Sequence, residues 1–142
     1  MAITHKYTLI CDDIRVENVG KLILIGIYMG KITVPHVPVV LPSLAFFQVY
    51  ESDRPCSLTF RMRLARMDTG ESIVEGMGMI NVQQPGIGVA PIKFSPVPLP
   101  VFGTYSLEVN IEGERPVVDT FDVLAMPPQQ QQMMMMRGQP GF

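Results

Sequence analysis

The side chains that could do chemistry are few, and the densest group stands near the start. Asp12, Asp13, Arg15 and Glu17 fall close together in a polar stretch. Three carboxylates in one loop are the oxygen donors that a hard cation such as Ca²⁺ takes. The spacing departs from the Asp-x-Asp-x-Asp-Gly of a helix-loop-helix calcium site, and Arg15 places a counter-charge inside the group. Turn capping with local ion pairing is the first expectation for Asp12, Asp13 and Glu17. Binding of Ca²⁺ or a small ligand is the alternative.

The second group is basic: Arg61, Arg63 and, just beyond them, Arg66. Residues two apart on a strand share a face, so Arg61 and Arg63 form a stripe that could dock an acidic surface. Phe60 falls on the opposite face, so no aromatic ring interleaves with the arginines as stacking on nucleic acid requires. Eleven Lys and Arg against thirteen Asp and Glu give a net charge of -2, too little to draw phosphate backbones or anionic lipid. The expected partner is therefore a protein, not nucleic acid or membrane. Glu108 or Glu112 is expected to face the arginines if their strands are neighbours.

The remaining reactive residues form no recognisable constellation. His5, His36, Cys11 and Cys56 lack zinc-site spacing and read as surface histidines and small buried thiols, with no disulfide expected. There is no Gly-x-Ser-x-Gly elbow and no phosphate-cradling loop. Gly76-Met77-Gly78 lacks a third glycine and a following helix, and reads as a place where two backbones pack closely. The expectation is a protein with no catalytic residues and no cofactor.

The elements that must hold these residues are strands. Leu58, Phe60, Met62 and Leu64 alternate with polar residues across Ser57 to Ala65, and Tyr105, Leu107, Val109 and Ile111 do the same across Thr104 to Glu112. Period two predicts two half-buried strands whose apolar faces meet in one core. Val117 to Leu124 completes a terminal hairpin with the second. Lys6 to Cys11 and Lys21 to Tyr28 read as strands joined by a loop over Asp12 to Gly20, and the second, apolar on both faces, is expected at the centre of a sheet. Leu44 to Glu51 and Ile73 to Val82 are further strands.

Pro35, Pro38 and Pro42, and again Pro96, Pro98 and Pro100, exclude central strands and predict extended crossings or edges. Together these predict an all-β, single immunoglobulin-like β-sandwich of about 7–9 antiparallel strands over residues 1–124. Residues 125–142, rich in Pro, Gln and Met, read as a disordered tail. The segment MAITHKYTLICDD has no apolar stretch ahead of a small-residue cleavage site, and the apolar run Leu22 to Gly30 is about half a membrane span. A cytoplasmic location is expected.

Cys11-Asp12-Asp13-Ile14-Arg15, followed by Gly20-Lys21-Leu22 and Leu24-Ile25-Gly26-Ile27-Tyr28, resembles an uncharacterised, mainly bacterial family of small β-sandwich proteins. Leu41-Pro42-x-Leu44 and Gly103-Thr104-Tyr105 extend the resemblance over about residues 7 to 124. It implies a fold and no activity. Gly103 to Tyr105 is also similar to the corner tyrosine of immunoglobulin-like domains, whose phenol bonds to nearby backbone. The functional expectation is a non-enzymatic protein-binding or structural module, with a component of a phage-type or other symmetric assembly as a further alternative.

Overall fold

The computed structural model describes residues 3–129, and its regular structure is almost entirely strand. Eleven strands follow in order: β1 (Ile3–Val16), β2 (Leu22–Tyr28), β3 (Lys31–Val34), β4 (Val39–Leu41), β5 (Leu44–Ser52), β6 (Cys56–Arg66), β7 (Ser72–Val82), β8 (Gly86–Phe94), β9 (Val97–Leu99), β10 (Gly103–Ile111) and β11 (Val117–Ala125). Nine form two principal sheets, β2-β1-β5-β8 and β3-β11-β10-β6-β7, and β4 with β9 makes a two-stranded ribbon.

The period-two stretches behave as their alternation requires. In β6 and β10, Leu64 lies opposite Leu107, Met62 opposite Val109 and Phe60 opposite Ile111. Tyr105, Leu107, Val109 and Ile111 are all buried in the main core with Phe60 and Leu64. Leu44, Phe46, Tyr50 and Ile92 reach the same core from the other sheet. Phe46 and Phe121 bridge the layers at 5.9 Å between ring centres, and Tyr105 stacks on Phe121 at 5.8 Å. The Tyr105 hydroxyl donates to Val101 O at 2.7 Å and accepts from Val101 N at 3.3 Å, the phenol-to-backbone bond expected of a corner tyrosine.

The two proline-rich stretches pair with each other, Val40 lying opposite Pro98 in the β4–β9 ribbon. Each strand of a two-stranded ribbon is an edge, so a residue without an N–H fits there. Cys11 and Cys56 are both unpaired thiols, Cys11 fully buried.

Several expectations need correction. The sheets are not wholly antiparallel: β3 runs parallel to β11, a pairing open to strands separated by a long stretch of chain. The loop expected over Asp12 to Gly20 shrinks to a turn closed by Glu17 N to Lys21 O at 2.8 Å, because β1 continues to Val16. Asp12 and Asp13 thus sit on a strand, where cross-strand partners satisfy their carboxylates.

The third correction concerns Gly76 and Gly78, which make room for side chains and not for backbone. A β-carbon on Gly78 would collide with the Phe60 ring, and one on Gly76 would lie 2.7 Å from the terminal methyl of Met62. Fourth, the central strand is β5, buried along nearly its whole length between β1 and β8. Strand β2, expected at the centre, is an outer edge.

The fifth is the count, since the ribbon takes the strands to eleven. At the far end, Ala125 still pairs with Val34, and Met126 N donates to Val34 O at 2.8 Å. The expected tail boundary thus falls just inside β11, and residues 130–142 of that tail lie outside the described part of the chain. No helix among the described residues is long and apolar enough to cross a membrane.

Candidate functional site

The acidic group at the start of the chain is divided among different partners. Asp12 accepts a hydrogen bond from the Tyr28 hydroxyl across the β1–β2 ladder. Burial, reinforced by that bond to Asp12, pushes the Tyr28 phenol well above its ordinary range. Asp13 lies between two cations, with Lys93 Nζ of β8 at 2.6 Å and Arg15 Nε at 3.3 Å. The Lys93 ammonium holds the Asp13 carboxyl below its usual value. Glu17 belongs to the turn beyond β1. No group of three metal-ligating side chains comes together among the described residues. Asp12 and Asp13, adjacent in sequence, thus point their oxygens at separate partners.

The arginine stripe is reduced to two residues flanked by glutamates. On the outer face of the five-stranded sheet, Arg63 lies between Glu75 of β7 and Glu108 of β10, and Arg61 lies between Met77 and Asn110. The expected apposition of Glu108 is present, whereas Glu112 receives a hydrogen bond from Thr59 at 3.3 Å. These side chains line a shallow groove of about 460 Å³. Arg66 does not join them: it grips Asp68 through two bonds of 2.7 and 3.0 Å and reaches Glu71 at 3.5 Å. Arg63 Nη1 donates to Gly70 O at 3.0 Å, and Arg61 and Arg63 share this face with Glu75 and Glu108.

A polar network that sequence spacing does not reveal ties the two sheets together. Thr8 Oγ1 donates to Asp119 Oδ2 at 2.7 Å, and Gln48 Nε2 donates to the same oxygen at 3.0 Å. The Tyr50 hydroxyl donates to Gln48 Oε1 at 2.5 Å. His5 Nε2 lies 2.8 Å from Thr8 Oγ1. Because the single Thr8 proton is committed to Asp119, His5 Nε2 must be the donor in that contact. A nucleophilic hydroxyl needs the reverse, with the imidazole accepting its proton. His5, expected at the surface, is half-buried with its ring edge-on to Tyr50 at 5.3 Å, while His36 is exposed. The network joins residues up to 111 positions apart, so no local pattern announces it.

The remaining feature is the β2 edge. Leu22 and Leu24 pack with Cys11, Ile14, Ala45 and Phe47 in a second apolar cluster, and Tyr28 packs on the main core. Ile23, Ile25 and Ile27 stay 42%, 40% and 48% exposed, and Val16, Val19 and Met29 extend the apolar surface past both ends of the strand.

The other three edges of the principal sheets are blunted in ways β2 is not. Strand β8 carries Pro91 and Lys93, β3 has four residues and includes Lys31, and β7 carries Glu75. At the corner where β7 meets β8, a β-carbon on Gly88 would touch Val82 at 2.6 Å, so those two edges cover each other. Between Leu22 and Tyr28 there is neither charge nor proline. Proteins normally blunt such an edge, because its outward N–H and C=O groups are a template for another strand.

With this geometry in place, comparison with known proteins supports the fold. The profile of a family of unknown function, DUF6941, matches residues 6–124. No curated protein matches the chain. Among solved structures, a β-glucosidase from Erythrobacter marinus superposes with a TM-score of 0.50 at 9% identity, over 87% of this chain and 15% of that one. At that identity the likeness is one of fold alone. The chain spans only that 15% of the enzyme's length, a small part of the larger protein.

Proposed function

The chain belongs to a family of unknown function, and on that footing we propose that it is a non-enzymatic protein-binding module that takes an extended segment of a partner onto its open β2 edge. The observation that carries this reading is β2 itself: a seven-residue edge strand with three half-exposed isoleucines and no charge or proline. An added strand would gain main-chain hydrogen bonds from the outward backbone groups of β2, and its alternate side chains would cover Ile23, Ile25 and Ile27.

The non-enzymatic part is supported by the direction of the His5–Thr8–Asp119 bonds, which spend the Thr8 proton on a carboxylate. The immunoglobulin-like comparison is supported by the corner tyrosine, Tyr105. Unpaired Cys11 and Cys56 suit a cytoplasmic location.

The test is capture from a lysate of the source cell by the full chain and by Ile25→Lys, followed by hydrogen exchange on the purified complex. A lysine at the middle of the edge puts a charge where the added strand would bury apolar groups, and should weaken retention at least tenfold, about 1.4 kcal/mol. The complex should show slowed exchange across Leu22–Tyr28. Arg61→Glu, on the other sheet, should retain the partner. Retention indifferent to Ile25→Lys, or protection confined to the Arg61 face, would refute the β2 assignment.

A further inference from the structure

We infer that the occupant of the β2 edge is a second copy of this chain, its β2 antiparallel to the first about a two-fold axis at Ile25, so that two four-stranded sheets become one of eight. This rests on β2 being a strand-accepting edge and adds the identity of the strand.

Three observations favour self-pairing. The first is chemical: an uncharged apolar strand needs an uncharged apolar partner, and β2 is the one principal edge of the described residues that meets this requirement. It is also present at the same concentration wherever the chain is.

The second is the pattern of β2 read against itself. With the axis at Ile25, Ile23 lies opposite Ile27 of the second copy, Leu22 opposite Tyr28, and Leu24 opposite Gly26. Gly26 carries no side chain of its own opposite Leu24 of the second copy, and the space above it is taken by the Asp12 carboxylate, which is already bonded to Tyr28. The three half-exposed isoleucines of each copy cover those of the other. A two-fold interface requires such self-complementarity.

The third is charge and its placement. Lys21 of one copy falls opposite Met29 of the other, whose side chain is 89% exposed, so no like charges oppose each other along the ladder. The apolar surface beyond one end of β2, at Val16 and Val19, is carried toward the exposed Met29 of the second copy.

Size sets the strength. Seven residues of strand extend about 24 Å, and a strip of that length and roughly 20 Å width covers about 500 Å² per copy, short of the ~800 Å² of a stable complex. The dimer should therefore be weak and concentration-dependent.

The experiment is sedimentation velocity of the full chain from about 5 to about 500 µM, a range that spans the affinities of modest interfaces, with cysteine cross-linking in a Cys56→Ser background. The wild type should shift from monomer to dimer across this range, and Ile25→Lys should raise the midpoint at least tenfold. Directly opposed β-carbons in an antiparallel pair are about 5 Å apart, within reach of a disulfide. Ile25→Cys should therefore form a covalent dimer under mild oxidation. Ile23→Cys alone should not, whereas Ile23→Cys mixed with Ile27→Cys should.

A strict monomer at every concentration overturns the inference, as does cross-linking by Ile23→Cys alone as efficient as by Ile25→Cys. If the chain is monomeric but the captured partner remains sensitive to Ile25→Lys, self-pairing fails and the strand-accepting edge stands. If no Ile25→Lys-sensitive partner exists either, both fail.

Discussion

Replacing Asp119 with alanine tests whether the inter-sheet network is structural. The carboxylate of Asp119 accepts from Thr8 at 2.7 Å and from Gln48 at 3.0 Å, and Gln48 is fully buried. Hydrogen bonds to a charged group contribute about 1.5–3 kcal/mol each, and a buried donor left unpaired costs its desolvation. Asp119 is itself only half-buried, so water can reach Thr8 and offset part of the loss. The Gln48 amide has no such recourse. The net expectation is about 2–4 kcal/mol of destabilisation, which in a domain of this size lowers Tm by roughly 8–15 °C. Urea unfolding read by far-ultraviolet circular dichroism should show the midpoint fall with an unchanged slope.

A linked readout separates this account from a general loss of packing. Burial and, after it, the Asp119 charge hold the Tyr50 phenol above its ordinary range. Asp119→Ala should bring that phenol part of the way down while burial keeps it raised. A variant within about 0.5 kcal/mol of the parent, with Tyr50 unmoved, would refute the structural role.

Three other expectations follow. Gly78→Ala should destabilise by about 1–3 kcal/mol, because the Phe60 ring must shift, while Gly76→Ala should cost less than half as much, since only the flexible end of Met62 is in the way; equal effects in urea melts would contradict the packing described. Tyr105→Phe should cost about 1–3 kcal/mol through the two bonds lost to Val101, and an unchanged Tm would show that bond to be idle. Tyr28, Tyr50 and Tyr105 all have raised pKa values through burial, so each favours its neutral form in the fold. Their contribution is full below the unfolded value near 10 and is lost as pH rises beyond it. Absorbance at the phenolate band should therefore show these three ionising at higher pH in the folded chain than in the unfolded one, and their titration near pH 10 in the folded chain would contradict this.

What was legible in the sequence was what a strand encodes locally. Successive side chains point to opposite faces, so the alternation around Phe60 and Leu107 declared which residues enter the core before any partner strand was known. Gly103 and Tyr105 announced the corner bond because its acceptor, Val101, is only four residues away. The β2 sequence declared apolar surface on both faces, but an apolar residue carries no record of what covers it. Only the sheet order shows that β1 lies on one side of β2 and that no described strand lies on the other.

The same limit hid the partners of the polar residues. Asp12 and Asp13 looked like one acidic loop because they are adjacent, yet Tyr28 and Lys93 claim them from different strands. His5, Thr8, Gln48 and Asp119 looked unrelated because most of the chain separates the first from the last. A side chain's face is set by its own backbone, so sequence alone determines it. Its neighbours are set by which strands the closed sandwich places side by side, and that juxtaposition exists only once long-range pairing has formed.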